Sequence, residues 1–224
     1  MPVGLPGDMV GMFVFPKWVN LLKPGLVVGL VAGPLYVLGV FALAASPKTT
    51  DVGYQPKQPL PYSHAVHAGK LGIDCRYCHT TVETAAAAAL PPTQTCMNCH
   101  ATILADSEKL LPVRESYATG MPVEWIRVHD LPDYVYFNHS AHVRRGVGCV
   151  SCHGRVDRME EVYQAETLSM GWCLACHRAP EQHLRPVELV TAMSWQTEDP
   201  LKTGAELRQK YNIHPSTDCS TCHR

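Results

Sequence analysis

The chain has 224 residues with 19 basic and 20 acidic side chains, a formal net charge of −1 that offers no basic footprint for nucleic acid. Its 46% hydrophobic share is unevenly spread, because one long apolar run lies near the N-terminus. The remainder, which holds most of the 18 prolines and all 10 cysteines, is too polar and too often interrupted for a conventional core.

Residues 1–24 read as a cytoplasmic or interfacial segment in which Met12, Phe13, Phe15, Trp18, Val19, Leu21 and Leu22 can lie at a membrane surface, with Trp18 as an aromatic anchor. Residues 25–45 (GLVVGLVAGPLYVLGVFALAA) carry no charge. As a helix they would extend about 31 Å, the thickness of a bilayer's hydrocarbon layer. Ala42-Leu43-Ala44 resembles a leader cleavage site, but such a leader would be unusually long, and a retained single-pass helix is the expectation. Gly25, Gly29 and Gly33 form a stripe along one face of that helix, where another helix can approach closely. Lys17 and Lys23 before it and Lys48 and Lys57 after it do not decide its orientation.

From residue 46 to 224 the chain is organised by five CxxCH motifs, which use every cysteine: Cys75/Cys78-His79, Cys96/Cys99-His100, Cys149/Cys152-His153, Cys173/Cys176-His177 and Cys219/Cys222-His223. In this signature two thiols bond covalently to a haem and the adjacent histidine becomes an axial ligand of its iron. Zinc would pair CxxC units, and an odd number leaves one over. A disulfide framework gives no reason for a histidine after each second cysteine. Five covalently bound haem c groups are therefore expected. About 36 residues per haem cannot wrap each one, so the haems must form much of the core. The fold class follows: one N-terminal transmembrane helix, then a mostly irregular, haem-packed domain with short helices. Covalent haem attachment takes place outside the bacterial cytoplasmic membrane, which puts residues 46–224 on the periplasmic side and the N-terminus inside.

Within this domain PYSHAVH before the first motif is echoed by YFNHSAH before the third. Each copy comprises HxxH, one attachment motif, a linker and a second motif, giving haem-pair repeats at 62–100 and 136–177 and a terminal haem at 214–224. Two histidines three residues apart on a helical turn diverge by about 60°, which suits two adjacent irons rather than one. His64 and His67 are thus expected as second ligands of the first two haems, and His139 and His142 of the third and fourth. For the fifth, His129, His183, His214 and the thioethers of Met159, Met170 and Met193 are available, with His129 favoured. Ala85–Ala89 reads as a short helix stopped by Pro91-Pro92. Trp125, Trp172 and Trp195 are expected against haem edges. Residues 187–213, without cysteine, read as a mixed helical stretch free to wrap a partner.

Irons closed on both faces conduct electrons and offer no place to a substrate, so the chain is expected to be an electron-transfer subunit and not itself an enzyme. Bis-histidine ligation gives lower potentials than histidine–methionine, which suits a donor such as menaquinol.

The stretches WIRVHDLPDYVYFNHSAH (125–142) and GWCLACHRAPEQHLRP (171–186), with the helix and the two HxxH-led pairs, resemble the pentahaem cytochrome c subunit of bacterial alternative complex III. The resemblance implies a quinol-oxidising complex in the cytoplasmic membrane. Its other parts would be integral membrane subunits, an iron–sulfur subunit and a monohaem cytochrome, and electrons would pass on to a soluble cytochrome c, a copper protein or an oxidase. The HxxH and CxxCH arrangement also resembles class III cytochromes, in which the first histidine of the pair serves the haem immediately after it. A second possibility is a self-sufficient, membrane-anchored quinol dehydrogenase. Such proteins typically carry CxxCHxM near the membrane, whereas the first motif here continues Thr80-Thr81.

Overall fold

A computed structural model describes residues 15–44 and 51–223 and divides the chain into two units, Met1–Thr49 and Thr50–Arg224. Met12, Phe13, Ala45 and Lys48 lie outside the described residues.

In the first unit a 3₁₀ turn over Lys17–Leu21 runs into helix α1, Leu22–Ala44. The helix begins three residues before the expected start because Pro24 falls in its first turn, where a missing N–H costs no hydrogen bond. At 23 residues it extends about 34 Å, and none of its residues is buried. By length and composition it is apolar enough to cross a membrane.

The second unit has no β-strand among its described residues, only two isolated bridges and short helical pieces. A π-helical turn spans Ala65–Lys70. It is followed by α2 (Cys75–Cys78), α3 (Thr93–His100), α4 (Leu111–Thr119), α5 (His139–Val143), α6 (Val150–His153), α7 (Met170–Arg178), α8 (Pro200–Lys210) and α9 (Cys219–Cys222). Helices of one or two turns are not stable on propensity alone. They are held here by local caps, such as Asp74 for α2, Asn138 for α5 and Ser169 for α7. As expected from the residue count per motif, wholly buried apolar side chains are few. Among the described residues a buried apolar cluster comprises Leu184, Leu207 and Ile213, with Val147 and Tyr211 against it.

That cluster comes largely from the cysteine-free stretch expected to be free for a partner. Instead α8 lies on the 3₁₀ turn Pro180–His183, at Gly204, where a Cβ would run into the backbone of Glu181. The ion pair of Arg208 with Glu181 (2.5 Å) pins the same contact. Residues 183–185 then pair with 146–148 through Gly148 N–H to His183 O and Arg185 N–H to Gly146 O, which fixes the chain where it enters the third motif.

Candidate functional site

Each CxxCH motif places its cysteines on a short helix, α2, α3, α6, α7 or α9, with the third motif's Cys149 as cap residue. At a spacing of three residues both thiols emerge on one face of a turn, where they can reach two points on a single ring system, and the following histidine lies one turn on from the first cysteine.

The two HxxH segments are structural copies of each other. In the first, the Tyr62 ring stacks on His67 (4.5 Å between centroids) and meets His64 edge-on (4.8 Å). In the second, Phe137 stacks on His142 (4.8 Å) and meets His139 edge-on (4.8 Å). The aromatic residue two positions before each pair thus wedges its histidines apart. The match of Tyr62 to Phe137 was visible in the repeat, but its purpose was not.

The imidazoles face the attachment histidines in pairs. Ring centroids lie 6.1 Å apart for His67 and His100, 6.4 Å for His139 and His153, and 6.1 Å for His142 and His177. Two imidazoles on opposite sides of one metal ion, each bound at ~2.0 Å through Nε2, have centroids about 6 Å apart. For His64 the neighbour is His79: burial, then His79 and His67, lower its pKa to about 4. Burial, then neighbouring histidines led by His129 and His139, hold His153 at about 3. Burial is likewise the first cause of the lowered pKa of His142 and of His129. Such histidines are neutral, the form that binds a metal.

The tautomer is also set. Nδ1 of His67 bonds to Ser63 O (2.8 Å), that of His79 to Ala89 O (2.9 Å) and that of His100 to Ile103 O (2.8 Å). Nδ1 of His139 bonds to Ala86 O (2.8 Å), that of His142 to Asn138 O (2.7 Å) and that of His177 to Ser216 O (2.6 Å). A carbonyl only accepts, so in each case Nδ1 carries the proton and Nε2 keeps its lone pair. This is the second-shell arrangement that orients a metal-ligating histidine. The site fits iron held through Nε2.

One expectation is corrected here. Ala85–Ala89 forms an irregular loop rather than a helix. Five alanines ahead of Pro91-Pro92 are too few to nucleate one, and their carbonyls are taken: Ala86 by both the N–H and Nδ1–H of His139, Ala89 by His79, and Ala85 by Ser140 N–H. The loop therefore orients a histidine of the first motif and one facing the third. His129, expected at the fifth motif, is seated at the third, its ring 4.5 Å from His153 at 78°, with Nε2 buried and unpartnered. The physical reason is Gln58, whose side chain bonds both the N–H and the carbonyl of Ile126 and holds that segment beside the first half of the domain. Past Asp133 the segment reaches the fifth motif, by a bridge from Val135 to His223 and a bond from Tyr136 N–H to Cys222 O. The ring stacked on His223 is that of Tyr134, at 5.9 Å. His214 engages its Nε2 with Asn212 Oδ1 (2.9 Å), which withdraws the nitrogen a metal would need.

Two predictions arise from these supports. Thr81 Oγ1 donates to Ala87 O (2.8 Å) and accepts from Ala89 N–H (2.8 Å), so it holds the alanine loop in shape. Thr81→Val, close in shape, should cost about 1–2 kcal/mol in guanidinium unfolding. It should also shift the electron paramagnetic resonance lines of the first and third sites together while leaving the others in place.

Asp74 caps α2, accepting from Arg76 N–H (2.8 Å), from the Arg76 guanidinium and from Thr191 Oγ1 (2.8 Å). The hydrogen bonds from Arg76, opposed in part by burial, lower its pKa from 3.8 to about 2. A depressed carboxylate stabilises the fold above the unfolded pKa near 3.8, and that contribution is lost as pH falls through about 2. Asp74→Asn, which keeps the cap, should cost only about 1 kcal/mol at neutral pH, since the pair is 37% and 42% exposed. The difference from wild type in guanidinium unfolding should shrink between pH 4 and 2.

Residues 135–224 match the family model described as "Cytochrome c7 and related cytochrome c". Over 151 residues, 58% of this chain and 71% of the relative, the chain is 32% identical to the menaquinone reductase, multiheme cytochrome c subunit of Nitratidesulfovibrio vulgaris (strain Hildenborough). With the paired imidazoles and helix-borne cysteine pairs, these similarities show that the chain belongs to the multihaem cytochrome c family, of the cytochrome c7-like kind.

Proposed function

We propose that the chain carries five haem c groups and serves as an electron-relay subunit. It would work between a quinol-oxidising complex of the cytoplasmic membrane, of the alternative complex III kind, and a soluble cytochrome c or copper protein on the periplasmic side. Bound haem supplies reversible one-electron exchange at iron. The chain's own residues tether, orient and close each iron. Cys75, Cys78, Cys96, Cys99, Cys149, Cys152, Cys173, Cys176, Cys219 and Cys222 form the thioether links. His79 with His64, His100 with His67, His153 with His139, and His177 with His142 would hold the irons through their Nε2 nitrogens. His223 supplies one to the fifth iron, whose second ligand is left to His183 or a neighbouring subunit.

The observation that carries this reading is the set of three imidazole pairs at 6.1–6.4 Å with Nδ1–H bonded to carbonyls. Such pairing fills both axial places with the chain's own side chains and leaves none for a substrate. Helix α1 supports a single-pass anchor with residues 46–224 on the outer side, alongside the integral membrane subunits, iron–sulfur subunit and monohaem cytochrome that the resemblance implies.

The relative's name favours a second direction of flow, in which electrons arrive through the cytochrome and menaquinone is reduced. One experiment separates these readings and the self-sufficient dehydrogenase. Menaquinol and menaquinone analogues are mixed in turn with the membrane complex that co-purifies with the chain and with the purified chain alone. Rapid haem reduction by menaquinol in the complex but not in the isolated chain is expected. Rapid reduction of the isolated chain would replace the proposal with the dehydrogenase reading. Oxidation of pre-reduced haem by menaquinone, without the reverse reaction, would reverse the direction.

A further inference from the structure

We infer that the five attachment sites lie in the spatial order second, first, third, fourth, fifth, so that the second and fifth are the two ends of the row. The inference rests on the haem reading above and on contacts that join the sites two by two.

The second site joins the first through Asn98, whose Nδ2 bonds to the Tyr77 hydroxyl (3.2 Å), and through Tyr62, wedged between His64 and His67. The first joins the third through His139, whose Nδ1–H donates to Ala86 O (2.8 Å) in the loop that also holds His79, and through Arg144 Nε, which donates to Glu83 O (2.7 Å). The third and fourth share the α5 pair, His139 facing His153 and His142 facing His177. The fourth joins the fifth where His177 Nδ1–H donates to Ser216 O (2.6 Å), three residues before Cys219.

Exposure points the same way independently. Of the ten cysteines only Cys99 and Cys219 are exposed, one in each terminal site, and the other eight are partly enclosed. The row therefore does not follow the chain: the first pair is turned around, so that its second member faces outward and its first packs on the second repeat. One electron taken at one end from a reduced one-electron carrier is balanced by one given at the other end to an oxidised carrier. The three inner sites are reached only through their neighbours.

The test uses ferric holoprotein and magnetic coupling between adjacent irons, read by electron paramagnetic resonance. Each site's signal is identified by its loss when both of that site's cysteines are replaced by alanine. Cys96→Ala/Cys99→Ala should alter the first-site signal alone, and Cys219→Ala/Cys222→Ala the fourth-site signal alone. A change at both the first and third sites on losing the second would place it between them and overturn the order. His67→Met tests the ligand reading separately, because it should give the second site histidine–methionine absorption. If that band is missing, the assignment of His67 fails, while the cysteine variants still decide the order. A variant that does not accumulate is replaced by its opposite end, whose single-neighbour result decides the question equally.

Discussion

Replacing Cys75 and Cys78 with alanine should leave four haem equivalents per chain, stop electron passage from one end of the domain to the other, and destabilise the fold more than loss of any other attachment pair. The first site is where the two repeats meet. The alanine loop holds His79 through Ala89 O and holds His139 and Ser140 through Ala86 O and Ala85 O, and Arg144 Nε donates to Glu83 O. With so few buried apolar side chains elsewhere, an absent ring here would leave a void lined by groups that have no other partner. Cavities of that kind cost about 4 kcal/mol or more. The corresponding change at Cys219 and Cys222, on an exposed terminal helix, should cost far less in guanidinium unfolding. Haemochrome counting would confirm that each variant lacks one haem.

His142→Met should produce the largest shift in potential available from a single change. Methionine keeps the iron six-coordinate but donates less strongly than an imidazole, and axial ligands tune haem potentials over a range approaching a volt. The fourth site should rise by on the order of 100 mV or more and titrate apart from the others. The side chain also loses the bond from Nδ1 to Asn138 O and the stack on Phe137, which adds about 1–2 kcal/mol of destabilisation. An optical redox titration in which all sites still moved together would show that His142 does not bind iron.

The CxxCH motifs and the HxxH repeat stand out in the sequence because covalent haem chemistry demands fixed spacings, and spacing is what a sequence displays. The helix at 22–44 was legible for a similar reason, since an uncharged run of bilayer length has few other uses. What could not be read was backbone. Ala86 and Ala89 act through carbonyls, which every residue has, so their role left only an alanine run that looked like a helix. The place of His129 beside His153 was not legible either, because its distance along the chain says nothing of the Gln58 clamp, 68 residues from Ile126, that holds its segment. Residues 187–213 lacked cysteine and so appeared spare, yet they bring Leu207 and Ile213 to an apolar cluster that does not depend on a haem.

The account depends on every iron being closed on both faces, so that the domain conducts and does not react. Electron paramagnetic resonance of the ferric holoprotein, followed by carbon monoxide addition to the reduced form, tests this most directly. The expected result is five low-spin centres and no carbon monoxide adduct. A high-spin signal, or an adduct forming at any of the three sites where paired imidazoles face each other, would mean an open coordination place and would contradict the relay.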